Sequence, residues 1–335
     1  MPVRTSSTAI GRLMLLGCGV FLACGLGRLR PLLDVPFRGP RPVAFWVADR
    51  DAQEIVGLDE QLYPTWSVEL PWPSALASCR DGGLWATSAL EGTPDGDHAL
   101  VRLDDRGDVL ASIRLTPWGV PLDLSAIDGE EALLVLQGAG PAALSIVTRD
   151  GALSTLCTED GLRVACGRGT RVLVGSANGR LRLLRRLPGR ARTEALGELG
   201  VQIRDVALGP RAGTWWVLRG GEQPRVDLVD ARLVTLHSAA CDLSAPGFVA
   251  VPGEQRVWLT DERDRAVLRV DPGGSVAPLR RRLPLPGVAS GLAWSEGLLL
   301  LSGGAVIRLD ADGHLQPGQG GFRALVDVAA RSGEP

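Results

Sequence analysis

From about residue 43 onward, short apolar runs alternate with polar or Gly/Pro-rich turns. The clearest example lies between Arg256 and Leu279. Val257-Trp258-Leu259 joins β-branched and aromatic residues, the composition of a strand. Asp261-Glu262-Arg263-Asp264 follows as a polar turn, and Ala266 to Val270 reads as a second strand carrying one charge. In Asp271-Pro272-Gly273-Gly274, proline presets φ at the first corner and glycine accepts a positive φ, which makes a tight turn. Ser275 to Leu279 is a third strand, and Gly247 to Val251, closed by Pro252-Gly253, supplies one before them. Four antiparallel strands in roughly 40–50 residues are the unit of a propeller blade.

A bulky anchor in the second strand of each unit recurs at Trp46, Trp85, Leu134, Leu173, Trp216, Trp258 and Leu300, at intervals of 39, 49, 39, 43, 42 and 42 residues. A lone blade has two apolar faces to cover. Stacking covers them, and closing the ring removes the end faces. The expectation is an all-β, seven-bladed β-propeller of four-stranded antiparallel blades over residues 43–335. The Pro- and Arg-rich run Pro36 to Pro42 leaves Ala44 to Ala48 without a preceding strand. Phe322 to Ala330 runs past the seventh unit and matches the inner strand Ile203 to Leu208. The C-terminus is therefore expected to donate the innermost strand of blade 1, leaving no open edge.

VWLTDERDRAVLRVDPGG and FWVADRDAQEIVGLD, beginning at Val257 and Phe45, resemble the NHL-repeat and SMP-30-like group of β-propellers. Units of that group run aromatic–aliphatic strand, Asp, polar turn, aliphatic strand, Asp, Gly. Asp264 and Gln53 stand near the position of its usual turn Asn. The resemblance covers roughly Val43 to Ala330, with degenerate copies in blades 3, 4 and 7. It implies the fold, which hosts hydrolases, lyases and binding scaffolds alike. The SMP-30-like lactonases bind a divalent metal through Glu, Asp and Asn around the channel. This chain has a single Asn, Asn178, in a turn with Gly179, and departs from that pattern. Lyases of the fold rely on a histidine, and none of His98, His237 and His314 maps onto that role.

Forty-three Gly and 23 Pro in 335 residues fit a turn-rich β chain. The net charge of −2 argues against nucleic acid as a partner, and all basic charge is arginine. Residues 1–27 read as a signal peptide, a lipoprotein signal or a membrane anchor: Arg4 and Arg12 precede an uncharged run from Leu13 to Gly27. Cys18 and Cys24 are the lipidation candidates. Residues 28–42 are a Pro/Arg-rich linker placed to meet anionic headgroups or to act as a solvated spacer. These features predict a membrane-associated or exported monomer.

Candidate chemistry is sparse. Pro71-Trp72-Pro73 and Pro117-Trp118-Gly119 occupy inter-blade connections, where Trp72 and Trp118 are candidate anchors for a protein or small-molecule partner. Asp49, Arg50, Asp261 and Arg263 lie in turns on the same loop face. Glu91, Asp95 and Asp97 beside His98 could hold a metal or form an exposed acidic loop. Gly138-Ala139-Gly140 loosely matches a dinucleotide fingerprint but is followed by a strand, not the helix it requires. The arginines of blade 4, from Arg180 to Arg192, read as a solvated face. Asp123, Asp205 and Asp327 recur on inner strands, an arrangement expected to bond neighbouring backbone. Cys79, Cys157, Cys166 and Cys241 are expected to be free thiols. The expected function is a non-catalytic binding or scaffolding propeller without a cofactor. The alternative is a metal-dependent hydrolase or lyase of the SMP-30-like type, with a divalent ion such as calcium.

Overall fold

The computed structural model describes residues 29–31, 42–79, 81–89, 97–127, 131–187, 190–244, 246–250, 257–261, 266–280, 290–294, 297–302, 304–310 and 312–330. Cys18, Cys24, Glu91, Asp95 and Arg263 lie outside them. The described residues form seven antiparallel four-stranded blades. The inner strands are Leu325–Ala330, Pro73–Ser78, Val120–Ala126, Leu162–Arg168, Ile203–Leu208, Pro246–Ala250 and Ser290–Trp294. Each packs on the next, and the seventh returns to the first, so the ring closes.

Closure follows the expected route. Leu325–Ala330 pairs antiparallel with Phe45–Asp49, with Phe45 opposite Ala330, Val47 opposite Val328 and Ala48 opposite Asp327. At the outer edge of blade 7, Leu29–Pro31 runs parallel to Leu315–Gly320 as a fifth strand. No helix among the described residues is long and apolar enough to cross a membrane.

The buried apolar residues form seven clusters, one at each junction between adjacent blades. Trp46, Trp85, Leu173, Trp216 and Trp258 each face the following blade. Leu134 and Leu300 do not. Leu134 faces back into the junction of blades 2 and 3, and Leu300 into that of blades 6 and 7. The true counterparts are Leu133 and Leu299. Both strands are unbroken apolar runs, so alternation gives no face, and a one-residue slip reverses every side chain.

Six blades share one turn between third and fourth strands. It opens with Asp59, Asp104, Thr148, Asp230, Asp271 or Asp310 and reaches positive φ three residues later, at Leu62, Gly107, Gly151, Leu233, Gly274 or Gly313. In four of them the opening aspartate Oδ1 accepts backbone N–H groups two and four residues on, as Asp104 does from Arg106 and Asp108. This Asx-type geometry is the physical content of the Asp-x-x-Gly signal in the sequence.

Candidate functional site

The inter-blade connections and the turns between second and third strands share one face of the ring, the upper face. Near it, five inner strands carry the same β-bulge, whose extra residue is Val326, Ser74, Leu122, Arg163 or Arg204 in blades 1 to 5. A bulge re-aims side chains and increases twist, as a strand bordering a channel requires.

The next residue is Asp327, Ala75, Asp123, Val164 or Asp205, so aspartate recurs in alternate blades. Leu76 N–H of blade 2 donates to Asp327 Oδ2 at 2.7 Å, and Ala165 N–H of blade 4 donates to Asp123 Oδ2 at 2.9 Å. These carboxylates staple one blade to the next, as expected. Burial pushes the Asp123 carboxyl up to about 6, against the opposing pull of the Ala165 and Leu124 N–H bonds, with nearby Asp327 adding to the rise. Burial, with Asp123 and Asp205 close by, pushes the Cys166 thiol up. Cys79, Cys157, Cys166 and Cys241 form no disulfide among the described residues.

Asp49 is buried, and its carboxylate accepts N–H bonds from Arg323 at 2.6 Å and Ala324 at 2.8 Å. Asp261, at the matching end of the second strand in blade 6, is also fully buried. Arg50 stacks over Trp72 at 5.0 Å from the ring centroid, and Trp72 is half-buried with φ 44°.

Trp72 and Trp118 are not equivalent. Aligning the blades on the bulge sets Trp72 against Val120, since Pro73 and Pro121 occupy matching pairs. Trp118 lies two residues earlier, in a longer connection. There Trp118 and Gly119 N–H both return to Leu115 C=O. A Cβ on Gly119, at φ 124°, would stand 2.3 Å from Gln137 O, so glycine is required. The tight turn holds Trp118 out, 47% exposed.

Trp118 has company that sequence inspection missed. Val120 is 43% and Leu122 46% exposed, both near the upper end of the innermost strand of blade 3. The signal was a strand of small size with apolar residues at alternate positions, which reads like any buried strand. The neighbouring edge of blade 2 carries Asp97 and His98. Asp97 pairs with exposed Arg114 at 3.4 Å. His98 is buried, its carbonyl accepts Leu115 N–H, and neither ring nitrogen has a partner among the described residues. The sector of blades 2 and 3 thus combines an exposed apolar rim with an unpartnered imidazole just below.

One trio elsewhere has metal-like spacing: ligand atoms of Asp310, Asp312 and His314 lie within 4.8 Å of one another. The repeated turn accounts for it. Asp310 accepts from Asp312 N–H, His314 N–H and the Gln316 amide, and these bonds hold its carboxyl below the usual range.

Fold and site together define a seven-bladed β-propeller. No protein-family model matches the chain, and no curated protein matches it in sequence. Solved structures share its fold. A functionally unknown protein from Desulfotomaculum acetoxidans is 13% identical with a TM-score of 0.68, over 86% of this chain and 98% of that one. Virginiamycin B lyase from Staphylococcus aureus is 13% identical with a TM-score of 0.59, over 73% and 83%. The dihydro-heme d1 dehydrogenase NirN is 14% identical with a TM-score of 0.58, over 91% and 79%. Their functions are mixed, and identities this low speak for architecture alone.

Proposed function

We propose that this propeller is a non-catalytic binding module of NHL-repeat-like build, tethered to a membrane or exported through its N-terminal segment. Its partner-binding surface is the upper face of blades 2 and 3. The observation that carries the reading is the exposure of Trp118, Val120 and Leu122, three large apolar residues close in sequence at the upper end of the inner strand of blade 3. Exposed apolar clusters on a soluble face mark interaction sites, and tryptophan is the commonest energetic anchor in them. Asp97 and Arg114 give that rim polar groups for register. Asp49 and Asp261, buried at strand ends, serve the frame.

The test is capture of partners from membrane and soluble fractions by the full chain, compared with Trp118→Ala/Leu122→Ser. A partner retained by the wild type and lost by a double variant of unchanged melting temperature supports the reading. Equal capture by both refutes it.

A second reading, a divalent-metal hydrolase or lyase of the SMP-30-like type, is favoured by the recurrence of Asp123, Asp205 and Asp327 around the channel. Their bonds to backbone N–H weigh against it. Thermal unfolding with calcium, magnesium, manganese or zinc separates the two. Ligand at 100 times its Kd adds about 2.7 kcal/mol, so a resident ion would shift the midpoint, and Asp123→Asn would abolish the shift.

A further inference from the structure

Blade 4 places like charges directly opposite one another. Arg171 on its second strand pairs with Arg185 on the third, and Arg185 pairs with Arg192 on the fourth. Three guanidinium groups therefore stand in a row across the sheet. Like charges in directly opposed positions destabilise a sheet. Arg232, from the turn between third and fourth strands of blade 5, faces the same space, and the Arg171 side chain reaches towards Gly213 of that blade.

These residues line a groove of about 480 Å³ between blades 4 and 5, on the face opposite the upper one. One carboxylate enters it. Glu194 bridges Arg171 at 2.8 Å and Arg185 at 3.6 Å. Arg192 and Arg232 are exposed and have no acidic partner among the described residues. Four cations thus face one anion in a concave site. Three other arginines of blade 4 behave differently: Arg180, Arg182 and Arg186 each pair with a separate glutamate. Glu194 offsets part of this positive charge, and the excess is open to a small anion.

We propose that this groove binds a phosphate-bearing ligand of at least two negative charges. Guanidinium groups offer paired N–H donors that match phosphate oxygens, and four of them lining one groove against a single carboxylate suit a ligand with more than one negative charge. The site is separate from the apolar rim of blades 2 and 3 and does not depend on it.

The experiment is calorimetric titration of the full chain with inorganic pyrophosphate at low and physiological salt. Saturable binding that weakens with salt is expected. Arg185→Gln and Arg192→Gln should each weaken it about tenfold, the scale for loss of one hydrogen bond to a charged group. Glu194→Gln should tighten it, and Arg180→Gln on the same blade should leave it unchanged. Without ligand, Arg185→Gln should raise the melting temperature at low salt, a readout that a merely structural role would move the other way. Co-sedimentation with cardiolipin vesicles, whose lipid carries two phosphates, but not with phosphatidylcholine vesicles, and its weakening by Arg185→Gln and Arg192→Gln, would assign the phosphate to a lipid headgroup. Pyrophosphate binding without co-sedimentation would assign it to a soluble ligand. Absence of both, or binding indifferent to Arg185→Gln and Arg192→Gln, overturns the proposal.

Discussion

Asp49 and Arg323 lock the ring at its seam: the backbone N–H of Arg323 donates to Asp49 Oδ2 at 2.6 Å, and the adjacent Ala324 N–H to Oδ1 at 2.8 Å. The two segments lie at opposite ends of the propeller sequence. The carboxylate is 1% exposed, so no water replaces it when it is removed. A buried donor left unmade costs about 1–3 kcal/mol. Asp49→Ala is expected to lower stability by about 3 kcal/mol in urea unfolding, and Asp49→Asn by less. A loss under about 1 kcal/mol for Asp49→Ala would show that the seam is held by strand pairing alone.

Gly107 and Gly274 occupy the same place in the repeated turn, at φ 90° and 80°. A Cβ at Gly274 meets nothing nearer than Ser238 O at 3.7 Å, whereas at Gly107 it would lie 2.9 Å from the Trp66 ring. Trp66 cannot easily give way, since its indole N–H donates to Asp105 O at 3.2 Å. Gly274→Ala should cost about 1 kcal/mol for backbone strain alone. Gly107→Ala should cost clearly more, and equal losses would mean that Trp66 is free to move.

Asp123 makes stability depend on pH. Its carboxyl is raised to about 6 in the fold from an ordinary value near 3.8. The folded protein therefore holds more protons than the unfolded chain between these limits, and stability falls as pH rises through them. The contribution is at most about 3 kcal/mol, reduced by the solvent that reaches the channel. Asp123→Asn, which still accepts from Ala165, should be stabilised at pH 7 and nearly unchanged at pH 4. Matched unfolding curves at the two pH values check this. An equal effect at both would contradict the raised value.

Trp118 and Trp85 should differ sharply in the cost of truncation. Trp85 is fully buried between blades 2 and 3, and Trp85→Ala should cost about 3–5 kcal/mol. Trp118 is half exposed, so Trp118→Ala should change stability by under about 1 kcal/mol. A large loss for Trp118→Ala would make it a packing residue and remove it from the binding face.

Much of the architecture was legible because each blade repeats a local grammar. Asp271-Pro272-Gly273-Gly274 announces its turn by chemistry within four residues. The match of Leu325-Val326-Asp327 to Ile203-Arg204-Asp205 foretold closure, and the structure puts both in the same bulge register. Legibility failed where composition was uniform. In Ala132 to Leu136 every residue is apolar, and the anchor slipped from Leu133 to Leu134. The offset between Trp72 and Trp118 was hidden because their Pro-Trp motifs look alike, while connection length sets their register.

The candidate sites were the least legible part. Asp49 looks like a surface turn residue until its partners arrive from residues 323 and 324. Val120 and Leu122 read as core, yet the fold leaves both exposed, and Arg171, Arg185 and Arg192 read as scattered charge until pairing aligns them. By itself the sequence determined the number of blades, the turn between third and fourth strands and the closing strand, because short-range periodicity and turn chemistry encode them. The tertiary structure alone decided which aspartates are staples, which apolar residues stay exposed and which arginines converge. Those outcomes depend on strand register and on contacts between blades that lie tens to hundreds of residues apart.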